Sequence, residues 1–242
     1  MTERPLALVT GASRGLGKVL SEFLAGNGYD LLLLARARGP LVEHASNLGR
    51  YGGSVRTVVG DVSDPAVRQA LVDVVEGVGS LTLLINNASE LGPSPMPSLA
   101  NVELGAVRRV FEVNVVAPLA LIQVTRRYLA QARGLIVNIT SDAAEGGYPG
   151  WGSYGASKAA LNLLTRTLAG ELEAEHVSVV AVDPGDMRTA MHQAAYPGQD
   201  ISDRPPPETV LPFFAWLFGR ERSAVSGHQY RAQSETWEVA PA

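Results

Sequence analysis

Tyr154 and Lys158 stand four residues apart in the segment WGSYGASKAALNLL, and Ser141 lies thirteen residues before the tyrosine. Residues at that spacing share one face of a helix, so a phenol and an ammonium can meet around one substrate. A free tyrosine titrates near pH ~10, too high for efficient proton transfer at neutral pH. A nearby cation favours the phenolate and lowers that pKa. The pair therefore reads as a general acid–base unit in which Lys158 tunes Tyr154. Ser141 follows an apolar run and adds a hydroxyl that can hold a substrate oxygen. An ordinary helix with a packed tyrosine and an exposed lysine has the same spacing, and the rest of the chain separates the two readings.

The elements that must position these groups alternate in type. Apolar runs stand at 5–10, 29–35, 54–60, 81–86, 134–140 and 177–182, and several have little polar alternation, as expected of strands buried on both faces of a parallel sheet. Helical patterns fill the gaps at about 15–27, 39–50, 64–78, 100–131 and 152–175. Asp64-Pro65 supplies an N-cap residue and a first-turn proline. The alternation predicts an α/β protein: one Rossmann-type domain over 1–242, with a doubly wound parallel sheet of about seven strands and helices on both faces. Two irregular segments, 90–98 and 184–212, follow strands and should lie at the carboxyl edge of the sheet, where ligands bind in such folds.

Composition narrows the class. The 242 residues are 46% hydrophobic and 18% charged, with a net charge of −4 and no cysteine. This excludes disulfides and thiol chemistry, and it argues against nucleic acid as a partner. No cleavable signal pattern or membrane span is evident, so the expectation is a cytoplasmic protein without a membrane partner. The four histidines have no metal-ligand spacing, and no metal is expected.

The first strand runs into Thr10-Gly11-Ala12-Ser13-Arg14-Gly15-Leu16-Gly17, followed by a helix. Glycines there allow a tight turn and close approach of backbone to a pyrophosphate, and the helix start supplies free N–H groups. The second strand ends Leu34-Ala35-Arg36-Ala37-Arg38, with no acid. An acid at that place holds a ribose 2′-hydroxyl, whereas an arginine accommodates a 2′-phosphate. Arg36, with Arg14 as a second phosphate partner, points to NADP(H) over NAD(H). Arg38 reads equally as a solvated charge.

Together these segments resemble the short-chain dehydrogenase/reductase family, over about residues 5–190. TGASRGLG (10–17) resembles its cofactor turn, and GDVSD (60–64) the segment whose Asp61 contacts the adenine with Val62 packed beside it. INNAS (85–89), with Asn87 and Ala88, resembles its NNAG stretch. Asn114 in FEVNVVAP, Ser141 in IVNITS, and Tyr154 and Lys158 in YGASK match its catalytic positions. VDPGDMRT (182–189) resembles the segment that borders the nicotinamide, with Pro184, Gly185, Met187 and Thr189. The resemblance implies hydride transfer between a nicotinamide and a carbonyl or secondary alcohol. Tyr154 would act as acid or base, Lys158 would hold the ribose, Ser141 the substrate oxygen, and Asn114 a water leading to Lys158. Ser89, Asp142, Asp183 and the C-terminal segment depart from the family pattern.

Candidate walls of a substrate pocket are Glu90, Pro93–Met96, Asp142, Tyr148, Trp151, Met187, Met191, His192 and Tyr196, with 186–210 as a lid. The resemblance further implies a homodimer or homotetramer paired through helices 100–131 and 152–175. Phe213, Phe214, Trp216 and Trp237 suit either another interface or the core. Two rival functions use the same residues: an epimerase or dehydratase, and a non-catalytic NADP(H) sensor or scaffold.

Overall fold

The computed structural model describes residues 4–238. Seven parallel strands form one sheet: β1 (Leu6–Thr10), β2 (Asp30–Ala35), β3 (Val55–Val59), β4 (Leu83–Asn86), β5 (Leu135–Ile139), β6 (Ser178–Asp183) and β7 (Gln229–Arg231). Their order is β3-β2-β1-β4-β5-β6-β7. Connections from β1 lead outward through β2 to β3, then return to β4 on its other side. This reversal opens a crevice at the carboxyl ends of β1 and β4.

Successive strand residues point to opposite faces, and β1 shows the consequence. Ala7 and Val9 enter one core with Leu20 and Leu24 of α1 (Gly15–Gly26). Leu6 and Leu8 enter the other, with Leu71 and Val75 of α3 (Pro65–Val78). Helix α2 (Arg38–Leu48) joins the first core through Leu41 and Leu48. The Asp64 carboxylate caps α3, accepting from Ala66 N–H at 2.8 Å.

The helix expected over 100–131 begins later and is interrupted. It runs as α4 (Leu104–Phe111), a π-helical turn (Glu112–Val116) and α5 (Ala117–Gln131). Extended backbone at Glu103 sets the start, and Asn114 sits inside the π turn. Helix α6 (Gly152–Glu171) carries Tyr154 and Lys158 and stops before a 3-10 turn at Glu173–Glu175. The irregular stretch after β6 contains a short helix, α7 (Ala190–Ala195). Helices α8 (Leu211–Phe218) and α9 (Arg222–Val225) precede β7.

The C-terminal aromatics resolve in favour of the core. Phe213 and Phe214 are fully buried, and Trp237 packs its ring 5.5 Å from Phe213 and 5.9 Å from Trp216. No described helix is long and apolar enough to cross a membrane.

Candidate active site

Two polar devices pin the crevice. The Thr10 hydroxyl donates to the Ile85 carbonyl and accepts from Asn87 and Ala88 N–H, both at 2.9 Å. Asn87 returns a bond from its amide to the Thr10 carbonyl at 2.8 Å. The ends of β1 and β4 are thus clasped where their loops diverge. Deeper in, Asn86 donates to Asn138, and Asn138 donates to Thr165 of α6, each at 2.9 Å. All three are buried, and the two bonds tie α6 to β4 and β5; the Asn86 Oδ1 has no partner among the described residues.

Two glycines permit close approach of backbone to backbone beside the cleft. A Cβ on Gly17 would overlap the Gly11 carbonyl oxygen and the Asn87 amide, so α1 lies directly against the turn. A Cβ on Gly155 would overlap the Ala143 carbonyl, so α6 lies against the turn that carries Ser141. The Gly155 contact brings Ser141 to Tyr154.

The resulting cleft has a volume of about 1080 Å³. At one end are Gly11, Ser13, Arg14, Gly15 and Leu16; Arg36, Asp61, Val62, Asn87 and Ala88 continue its wall. At the other are Ser141, Tyr154, Lys158, Pro184, Gly185, Met187 and Thr189. Gly17 lies behind the lining. The start of α1 has no side-chain cap and no acid in its first turn, so its free N–H groups suit a pyrophosphate. The chain therefore fits a dinucleotide in size, in its anion cradle and in its cations.

Burial governs the reacting groups. Lys158 is 2% exposed and donates to the Ile139 carbonyl at 2.8 Å. Its Nζ stands 5.5 Å from the centre of the Tyr154 ring. Burial alone pulls its pKa down to about 7. Burial likewise pushes the Tyr154 phenol up to about 12. The Ser89 and Ser141 hydroxyls pull it down, while the Asp183 and Asp142 carboxylates add to the rise. The expected lowering of the Tyr154 pKa by Lys158 is therefore not what the chain's own groups produce. Desolvation outweighs it, and a half-neutral lysine is a weak source of positive field.

Asn114 does not line the cleft. Its amide donates to the Glu90 carbonyl and the Ser157 hydroxyl, both at 2.9 Å. Its oxygen accepts from Glu90 N–H at 2.7 Å and from the Ser89 hydroxyl at 3.1 Å. Its side chain thus ties the 89–90 loop to α6.

Among the substrate candidates, Asp142, Tyr148, Trp151, Met191 and His192 line the cleft. Glu90 and Met96 do not. Glu90 turns toward Arg36, 3.4 Å away, and Met96 packs behind Leu91 and Tyr154. Arg38 opens α2 outside the lining. The segment 186–210 supplies one wall of the substrate half, including Met191, His192 and Tyr196.

The sequence reading missed Arg109. It shares a helix face with Val113, and both line the cleft. Burial pushes the Asp61 carboxyl up, but bonds from Ser63 and pairing with Arg109 hold it below the usual carboxylate range. No local pattern links positions 61 and 109. Ser89 and Asp183 stood out only as departures from a motif, yet both act on the Tyr154 phenol.

With this geometry in place, comparison with known proteins is direct. The sequence model of the short chain dehydrogenase family matches residues 5–200, and the chain belongs to that family. An L-xylo-3-hexulose reductase of Hypocrea jecorina is 35% identical over 218 residues, covering 81% of this chain and 70% of that protein. A Bos taurus L-xylulose reductase is 35% identical over 193 residues, covering 78% and 75%. Among solved structures, a short chain dehydrogenase from Shigella flexneri complexed with NADP superposes with a TM-score of 0.88 at 28% identity, covering 95% of this chain and 97% of that one.

Proposed function

We propose that the chain is an NADP(H)-dependent oxidoreductase that reduces a carbonyl or oxidises the matching secondary alcohol, with Tyr154 as proton donor or acceptor. One observation carries the reading: Ser141, Tyr154 and Lys158 meet in the same cleft as the glycine turn and Arg36. When bound, the nicotinamide supplies the hydride. The chain's residues do the rest. Ser141 donates to the substrate oxygen where charge develops, Tyr154 delivers the proton, and Lys158 holds the ribose. Asn114 positions a water that links Lys158 to solvent. A phenol held near pH 12 stays protonated at neutral pH, which favours carbonyl reduction there. The ketose reductases among the relatives agree with that direction.

Arg36 must leave Glu90 to reach a 2′-phosphate. The pair is solvent-exposed, with 59% of the Arg36 side chain accessible, and such pairs contribute only about 0–1 kcal/mol. The gain from a charge-assisted bond to phosphate, about 1.5–3 kcal/mol, exceeds that loss. Arg36→Ala should therefore lower the kcat/KM preference for NADPH over NADH by about 10- to 100-fold. The assay follows cofactor absorbance with a panel of ketones and aldehydes. Tight NADPH binding without turnover of any carbonyl would instead support the sensor reading. Leu104, Val116, Val124 and Leu163 are exposed apolar residues on α4–α6, in keeping with pairing of these helices in a homo-oligomer. We further propose that the wall formed by 186–210 closes over the bound substrate.

A further inference from the structure

His192 holds a buried polar atom with no partner. Its side chain is only 10% exposed, yet its Nε2 has no hydrogen-bond partner among the described residues. The residue lines the cleft in its substrate half. Buried polar atoms are nearly always satisfied, so an unpartnered ring nitrogen on a residue that lines the cleft points to a ligand group.

The imidazole is also held in orientation. The Thr189 hydroxyl caps α7 by accepting from His192 N–H at 3.2 Å. The Tyr196 ring packs 5.0 Å from the imidazole, and the Asp186 carboxylate lies 3.7 Å from Nδ1. Nε2 accepts or donates according to the tautomer, and a hydroxyl can meet it either way. A continuous aromatic wall joins this nitrogen to the reacting phenol: Tyr196 packs 6.1 Å from Trp151, and Trp151 packs 5.7 Å from Tyr154. Leu91 and Met191 complete the apolar surround.

We propose that His192 determines specificity by forming a hydrogen bond with a substrate hydroxyl, so that the preferred substrates are hydroxy ketones with an apolar body. This rests on the reductase reading above and names its substrate class. A site built to bond a hydroxyl rejects the analogue that lacks it, because its own buried group is then left unpaired.

The test uses three ketones with one aromatic body: acetophenone, 2-hydroxyacetophenone and 3-hydroxy-1-phenyl-1-propanone, whose hydroxyls reach different distances. The wild type should favour at least one hydroxy ketone over acetophenone by about tenfold or more in kcat/KM. His192→Leu should erase that preference, and His192→Gln, which keeps an acceptor, should restore part of it. Melting curves check that both variants fold. An equal fall on all three ketones would assign His192 a structural role and overturn the proposal, as would a wild-type preference that survives in His192→Leu. No turnover of any ketone would overturn the reductase reading together with it. Turnover of all three without a preference would sink the His192 assignment alone.

Discussion

Tyr154→Phe is expected to lower kcat for carbonyl reduction by about 10²–10⁴-fold, the range a positioned acid contributes, while NADPH binding changes by less than about twofold. The substitution removes one oxygen and keeps the ring. That ring is 8% exposed and packs edge-on against Trp151, 5.7 Å between centroids, so the apolar cluster around it survives. The glycine turn and Arg36 are not members of this cluster, which is why binding and turnover should separate. Fluorescence titration reads the first and initial rates read the second. Full activity in the variant would remove Tyr154 from the mechanism. The phenol's raised pKa adds a direction. Reduction needs the protonated form, which burial maintains at neutral pH. Alcohol oxidation needs the phenolate, so its rate should climb as pH rises.

The parts of the site legible in the sequence are those set by local geometry. Tyr154 and Lys158 share a helix face at a spacing visible in any linear reading, and the glycine turn reports its own backbone needs. Apolar runs located six of the seven strands, including the edge strand β3, whose residues are half-buried or exposed. The seventh, β7, has three residues and is held by pairing to β6, which no local pattern encodes. The π turn at 112–116 was equally hidden. It shifts the helical period by a single residue while preserving the apolar stripe. Its cause is tertiary: four hydrogen bonds draw Asn114 toward the 89–90 loop and Ser157. Arg109 and Asp61 meet only because α4 packs beside the loop that follows β3. The pKa of Tyr154 went the other way from expectation for a related reason. Sequence spacing announces a neighbouring charge, whereas desolvation depends on the whole fold.

Lys158 carries the largest conflict between stability and function. It is among the largest fully buried side chains, and among the described residues no opposite charge offsets its burial, which brings its pKa from 10.5 to about 7. Between those values the unfolded chain binds the proton and the folded chain increasingly does not. Stability therefore rises with pH across that window, by up to about 1.4 kcal/mol per unit. Below pH 7 both states are protonated and the full cost of burying the cation persists. Above pH 10 the sign reverses for Tyr154, which ionises near 10 when unfolded and near 12 when folded. Lys158→Met removes the cation but leaves the Ile139 carbonyl without its donor, a loss of about 1–3 kcal/mol. The variant should be inactive, yet more stable than the wild type at pH 6–7. That advantage should shrink as pH approaches 10. Urea unfolding at pH 6, 8 and 9.5 measures the difference in slope, and parallel slopes for the two proteins would show that the buried lysine is not the titrating group. A cation retained at such a cost on a helix that methionine would stabilise is the mark of a residue kept for what it touches in the cleft.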